Sequence, residues 1–112
     1  MARVNPPEWV SGNVFIRRNL LEEVGDLVEG HTHAFDHTTI IFTGAVRIIA
    51  WQRGEVIADR VFAAPAHCLI RADVEHEITA TEPHTEFWCV YSHRDSQARV
   101  SLEYTGWEPA YR

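Results

Sequence analysis

The stretch GDLVEGHTHAFDHTTIIFTG, residues 25–44, decides how the rest of the chain is interpreted. It places three of the seven histidines between two glycines. His31 and His33 are two residues apart, and side chains at that spacing on a strand face the same side. His37 follows a short segment that suits a turn, so we expect it at the inward start of the next strand. The spacing therefore predicts two strands that direct three imidazoles toward one point.

A fourth histidine, His76, lies much further along the chain and would have to arrive from a different strand. Neutral imidazole is the commonest metal ligand and suits iron, zinc, nickel or copper. A set made only of neutral ligands leaves the full charge of a divalent ion in place. That charge strengthens attraction for an anionic ligand or a bound water. The four histidines are therefore candidate metal ligands.

The remaining chain consists of short segments rich in β-branched and aromatic residues, separated by turn residues. Residues 45–51 and 55–62, on either side of Gln52-Arg53-Gly54, are predicted to form a hairpin. The other predicted strands are residues 14–16, 27–33, 37–43, 68–70, 75–81, 86–92 and 99–104. Only Asn19–Val24 has helical character, and it is too short to form a stable helix alone. Many short strands at even spacing predict an all-β sandwich or barrel.

Length and composition indicate one globular domain. The chain has 112 residues, of which 46% are hydrophobic and 23% charged. That size and balance suit a single buried core. We therefore predict one domain over residues 1–112, with a barrel core at about 13–104 between irregular N- and C-terminal extensions.

Charge and cysteine content argue against several classes of protein. The formal net charge is -6 and no basic stripe is present, which argues against nucleic-acid binding. No apolar run suits a signal peptide or a membrane helix, so we expect a cytoplasmic protein that does not bind membranes. Cys68 and Cys89 lack the close spacing of a redox or zinc motif, so we expect two buried thiols and no disulfide.

Two stretches resemble the motifs of the cupin superfamily. The pattern Gly25-x5-His31-x-His33-x3-His37-x6-Gly44 resembles the first cupin motif, although the family usually has Glu where this chain has His37. The stretch from Arg71 to His76 is similar to the second motif, which usually reads Pro-x-Gly-x-x-His. Arg71 and Asp73 stand in place of its Pro and Gly.

This resemblance implies a double-stranded β-helix, the jelly-roll barrel of the cupins, with a metal inside its mouth. It implies that His31, His33, His37 and His76 bind one divalent ion, namely Fe, Zn, Ni or Mn, often in a homodimer. A histidine at position 37 removes the carboxylate that many cupins use as a ligand or base. A mechanism that needs this carboxylate therefore does not carry over.

The leading functional hypothesis is a metal-dependent enzyme that acts on a small organic molecule. Iron would favour dioxygenase-type chemistry, and zinc, nickel or manganese would favour isomerase or lyase chemistry. Tyr91 and His93 are the candidate catalytic acid–base groups by elimination. The alternative is a non-catalytic cupin that binds or senses a small ligand. A third hypothesis is a closed metal site that only stabilises the barrel.

Each histidine also has a simpler interpretation. His31 and His33 could be solvated histidines at a strand edge. His37 could bind a ligand without touching metal, and His76 could be a structural turn residue.

Strand alternation predicts the orientation of the neighbouring side chains. Asp36 and Glu77 are adjacent to candidate ligands and should point away from the metal. His67 and His84 are expected in surface turns. Side chains predicted to face the interior with His37 and His76 are Thr39, Ile41, Ile78 and Ala80.

Overall fold

The structure is a computed structural model, and the part of the chain that it describes contains nine β-strands. That part comprises residues 8–11, 13–31 and 36–92, with the side chains of Ser11 and residues 29–31 left out of the description. The strands are β1 (Glu8–Ser11), β2 (Val14–Leu21), β3 (Leu27–His31), β4 (His37–Thr43), β5 (Ala45–Gln52), β6 (Glu55–Ala63), β7 (Ala66–Ile70), β8 (Glu75–Ala80) and β9 (Thr85–Ser92).

The strands form two antiparallel sheets. The five-stranded sheet has the order β1-β2-β9-β4-β7, and the four-stranded sheet has the order β3-β8-β5-β6. Strands that are neighbours in space are mostly distant in sequence, as in a jelly roll. The two stretches that contain the candidate ligands are distributed over both sheets: β4 belongs to the first sheet, while β3 and β8 pair in the second. The predicted all-β fold of the jelly-roll type is confirmed.

The core lies between the sheets and follows the two-residue alternation of the strands. In β8, His76, Ile78 and Ala80 are buried while the residues between them are more exposed. Thr39 and Ile41 are buried on β4 in the same way. The predicted inward orientation of these side chains is confirmed. The central cluster consists of Leu21, Ile41, Val46, Ile48, Ile70, Ile78, Ala80, Phe87 and Cys89.

The hairpin of β5 and β6 is present at the predicted place. Gln52 pairs with Glu55 across the two-residue turn Arg53-Gly54, whose φ angles are 54° and 79°. Positive φ at both central residues is the mark of a type I′ turn, which matches the twist of an antiparallel pair.

Asn19–Val24, the one segment with helical character, does not form a helix. Asn19–Leu21 form the end of β2, where Asn19 and Leu21 are fully buried and pair with β9. Residues 22–25 form the turn that follows. Sheet pairing and burial of alternate side chains outweigh the modest helix propensity of so short a segment.

Several predictions concern the ends of the chain. Strand β1 lies ahead of the predicted barrel core and pairs with β2. The predicted strand at residues 99–104 and the C-terminal extension lie outside the described residues. Within the described residues, no helix has the length and apolarity needed to cross a membrane.

Gly44 connects β4 to β5 at a point where the chain passes close to β9. Its φ is +73°, a conformation that glycine adopts without steric cost. A Cβ placed on Gly44 would lie 2.9 Å from Thr85 Cα and would also overlap the Thr85 side chain. Thr85 is buried, and its hydroxyl accepts a hydrogen bond from Ala45 N at 3.2 Å. The backbone and the side chain of Thr85 on β9 thus leave room only for glycine at position 44.

Gly44→Ala is expected to destabilise the protein more than Gly54→Ala. Gly54 also has positive φ, but a Cβ there would meet nothing within 4 Å. Gly54→Ala should cost about 1–2 kcal/mol through backbone conformation alone. Gly44→Ala adds a clash with β9 and should cost about 3–5 kcal/mol. Urea unfolding of the two variants measures the difference, and equal destabilisation would contradict the close approach of Gly44 to Thr85.

Candidate metal centre

Three of the four predicted ligands lie within the described strands, and two of them have described side chains. His31 is the last residue of β3, and its backbone pairs with that of His76 on β8. His37 is the first residue of β4. His33 and the side chain of His31 lie outside the description. The strands therefore bring the backbone of His31 next to His76, although the two residues are far apart in sequence.

The imidazoles of His37 and His76 are buried next to each other between the two sheets. His37 is 3% exposed and His76 is 2% exposed. Their ring centroids are 5.2 Å apart, and the ring planes are inclined at 52°. Two imidazoles that share one tetrahedral ion through metal–nitrogen bonds of about 2.1 Å have centroids about 5 Å apart. The spacing of this pair therefore fits joint binding of one ion.

A backbone contact favours one tautomer of His76. Its Nδ1 lies 3.4 Å from the carbonyl oxygen of Val74, which can only accept a hydrogen bond. The proton of a neutral ring in this contact is on Nδ1, which leaves the lone pair on Nε2. A metal ligand commonly has its tautomer fixed by such a contact.

Two turns that flank the histidines are tied together. The exposed carboxylate of Asp36 accepts a hydrogen bond of 2.7 Å from the backbone N–H of Ala72. This bond joins the start of β4 to the turn that precedes β8. Asp73, in that turn, has φ +62°, a left-handed conformation that Asp tolerates better than most residues. Asp73 thus takes the backbone conformation for which the cupin pattern provides glycine.

A cavity of about 20 Å³ lies against the two imidazoles, enough for one water molecule or ion. Its described lining comes from both sheets and consists of Arg17, Asn19, Val28, His37, His76, Ile78, Cys89 and Tyr91. Sequence reasoning did not identify Arg17 or Asn19. The only sequence signal for them was that Arg17, Asn19 and Leu21 are two residues apart, as on one face of a strand. The helical character of Asn19–Val24 obscured this signal.

Cys89 forms part of the cavity floor as a neutral thiol. Burial raises its pKa, while a hydrogen bond with Thr39 and the positive charge of Arg17 act in the opposite direction. Its sulfur lies 3.8 Å from the Thr39 hydroxyl and 4.0 Å from the amide nitrogen of Asn19. Cys68 is half-buried, and burial raises its pKa as well. Both cysteines are free, as predicted, although Cys68 is only partly buried.

Tyr91, one of the two predicted catalytic residues, lies beside His37. Their ring centroids are 6.2 Å apart in an edge-on arrangement. On its other side Tyr91 stacks on Phe15, with centroids 4.7 Å apart and planes inclined at 20°. The stacking fixes the phenol ring at the wall of the cavity. His93, the other predicted catalytic residue, lies outside the described residues.

The structure also locates the residues predicted to face away from the site. Asp36 is exposed, and half-buried Glu77 lies between the inward-facing His76 and Ile78 on β8. His84 is exposed in a turn, where its Nδ1 lies 2.9 Å from a Glu22 carboxylate oxygen. His67 is exposed as expected, but it is within β7 and not in a turn.

Among the described residues, no group of three or more His, Cys, Asp or Glu side chains is placed to hold a metal ion. Of the four predicted ligands, only His37 and His76 have described side chains. Their burial and spacing fit the donor set, and the ligand assignment stays a prediction.

Comparison with known proteins gives a match at the level of structure. No family model matches the sequence, and no curated protein matches it. A variant of oxalate decarboxylase from Bacillus subtilis superposes with a TM-score of 0.65 at 18% identity, covering 82% of this chain and 25% of that one. KdgF from Halomonas sp. gives a TM-score of 0.64 at 16% identity, covering 81% of this chain and 79% of that one.

A cupin-2 domain protein from Shewanella frigidimarina superposes with a TM-score of 0.62 at 18% identity, covering 83% of this chain and 84% of that one. The chain spans about a quarter of the length of the oxalate decarboxylase it matches. At such low identities the likeness concerns the fold. Together with the two antiparallel sheets and their strand order, it shows that this chain has the same jelly-roll fold as these cupin structures.

Proposed function

We propose that the protein is a metal-dependent cupin enzyme that acts on a small organic molecule. The observation that carries this proposal is the pair of buried imidazoles, His37 and His76, 5.2 Å apart at a cavity between the two sheets. Burial of polar rings is costly unless a hydrogen bond or a metal compensates it. Two adjacent buried histidines on different sheets are typical of a binding centre.

In this proposal, His31, His33, His37 and His76 hold one divalent ion, with Fe, Zn, Ni and Mn as the candidates. Such an ion would act as a Lewis acid on an oxygen atom of the bound molecule. The Val74 carbonyl favours a tautomer of His76 that leaves its lone pair on Nε2 for the ion, and the bond between Asp36 and Ala72 ties together the segments that precede His37 and His76. Rigid support of this kind is what a metal site requires of the surrounding protein.

The proposed proton-transfer group is Tyr91. Its ring is held between Phe15 and His37, so its position relative to the imidazoles is fixed. A phenol can donate or accept a proton when it lies within reach of the reacting atom. His93 remains the second candidate for this role. Dioxygenase-type chemistry with iron and isomerase or lyase chemistry with the other metals are the two reaction classes that this arrangement would serve.

A second candidate function is non-catalytic binding or sensing of a small ligand. The histidine at position 37 favours it, because it stands where many cupins have the carboxylate that serves as a ligand or base. Retained ligand binding without turnover in the metal-loaded protein would identify this function.

The cytoplasmic location and the homodimer are part of the same proposal. An aromatic cluster on the outer side of the five-stranded sheet, in which exposed Trp9 and Phe42 flank half-buried Trp88, supports association with a second copy. Light scattering on the untagged protein determines its mass in solution. A monomer mass at high concentration would contradict the homodimer.

The variants His31→Ala and His76→Ala are expected to lose most of the bound metal. Untagged wild-type protein should contain about one equivalent of a divalent metal, and each variant less than about a quarter, because removal of one ligand weakens the remaining set. Elemental analysis gives the metal content. His67→Ala is the matched control, since His67 is exposed on β7. Full metal content in both ligand variants would overturn the site assignment.

The barrel is expected to survive removal of the metal. Its apolar core, which includes Leu21, Val46, Ile78 and Phe87, is buried independently of the centre. After dialysis against a chelator, the far-UV circular dichroism should be retained, and urea unfolding should remain cooperative. Unfolding on chelation at room temperature would instead indicate a structural metal.

A further inference from the structure

We infer that the molecule bound at the mouth of this cavity carries a carboxylate, and that Arg17 is its anchor. This inference deepens the proposed function, because it names the substrate class of the same site. It rests on the orientation of Arg17, on its weak internal ion pair and on two buried polar atoms at the cavity.

Arg17 faces the interior although it is charged. It lies on β2 and is the backbone partner of Cys89, whose side chain is buried in the core. Asn19 and Leu21 follow at the same parity and are both fully buried. Arg17 lines the cavity together with His37 and His76, and its side chain is 32% exposed. The guanidinium therefore lies between the cavity and solvent, at the mouth.

The ion pair between Arg17 and Glu8 is a weak one. Its Nε lies 3.3 Å from Oε1 of Glu8 on the edge strand β1, and the Glu8 side chain is 50% exposed. This Nε is buried and makes no hydrogen bond of acceptable geometry with any described residue. Exposed ion pairs are weak because water competes for both partners. A ligand carboxylate can therefore displace Glu8 at little cost.

A second buried polar atom lies on the same wall. The Asn19 amide nitrogen donates to the carbonyl oxygen of Arg17 at 3.2 Å, which orients the amide. Its oxygen, Oδ1, is buried and makes no hydrogen bond within the described part of the chain. Buried polar atoms usually have partners. The unused donor on Arg17 suits a carboxylate of the bound molecule, and the unused acceptor on Asn19 suits a hydrogen-bond donor of that molecule, such as a hydroxyl.

Arg18, the neighbour of Arg17 on β2, is an example of an arginine with a purely structural ion pair. Arg18, whose side chain points to the other face of β2, binds Glu86 through two bonds of 2.8 and 3.1 Å. This bidentate pairing satisfies the planar guanidinium fork. Arg17 lacks such pairing with Glu8. Because a carboxylate matches the same fork, the chemistry that Arg17 would recognise is that of a short carboxylic acid.

Arg17 lies in the same sheet as His37, at a distance set by the strand between them. Strand β9 separates β2 from β4, so Arg17 lies two strand spacings, about 10 Å, from Thr39 across Cys89, and His37 follows two residues further along β4. A ligand whose carboxylate binds Arg17 would extend its other end toward His37 and His76. Arg17 would thus position the reacting end of the molecule at the proposed metal centre.

The test uses the metal-free protein, so that its outcome does not depend on the metal assignment. All ten basic residues of the chain are arginines, and labelling with ¹⁵N-arginine makes their Nε–H groups visible by NMR. Loss of one signal in Arg17→Gln assigns the resonance of Arg17. Glycolate is the probe, because it has a carboxylate and a hydroxyl, and glycolamide is its uncharged control.

Glycolate is expected to shift the Arg17 resonance in a saturable manner, and glycolamide is not. Arg17→Gln should weaken glycolate binding at least about tenfold, since a charge-assisted bidentate contact is lost. Glu8→Gln should strengthen it about two- to fivefold, because the competing carboxylate is removed. Arg17→Lys should give an intermediate affinity, since lysine retains the charge without the fork.

The pair Arg18 and Glu86 provides matched controls of charge. Arg18→Gln changes the net charge by the same amount as Arg17→Gln, and Glu86→Gln by the same amount as Glu8→Gln, but on the outer face of the sheet. Both should leave the affinity for glycolate within about twofold of the wild-type value. An Arg17 resonance that does not respond to glycolate, or equal effects of Arg17→Gln and Arg18→Gln, would overturn the inference. Weaker binding in Glu8→Gln would also overturn it and would assign Arg17 to a structural pair. None of these results alters the metal content on which the proposed function depends.

Discussion

The two-residue alternation of side chains along each strand is the constraint on which the rest of this structure depends. It directs every second residue of β2, β4, β8 and β9 into the space between the sheets. Most of these residues are apolar and form the core. The same rule carries His37 and His76 inside, because each shares parity with core residues on its own strand. The centre is thus a direct continuation of the core.

Turn geometry keeps these strands in register. Gly44 permits a close approach to Thr85, which fixes the β4–β5 connection against the start of β9. Asp73 adopts the left-handed conformation in the turn before β8, and the Asp36 carboxylate binds the same turn through Ala72. A one-residue slip of β4 or β8 would turn His37 or His76 to the outside. Precise turns are therefore a condition for the site.

The chemistry of the site comes from polar residues that enter an otherwise apolar interior. Two imidazoles, the Arg17 guanidinium and the Asn19 amide meet at one small cavity. Low polarity around them strengthens each electrostatic interaction and keeps the Cys89 thiol neutral. Because a charge is costly to bury unless it is paired, the Arg17 cation would be the partner for a negatively charged group of the bound molecule in the proposed site.

Most of the strand segments, the hairpin at Arg53-Gly54 and the inward face of β4 and β8 could be predicted from the sequence, because alternation and turn chemistry are local properties. Strand β1 was not predicted. The resemblance of residues 25–44 to the first cupin motif implied the jelly roll, whereas the strand pattern alone indicated only a sandwich or barrel. The end of β2 was misjudged, because Asn19–Leu21 are held in a strand by pairing with β9, which is distant in sequence. Tertiary structure alone decided that Arg17, Asn19 and Cys89 share a cavity with the histidines, since these residues become neighbours only when β2 pairs with β9.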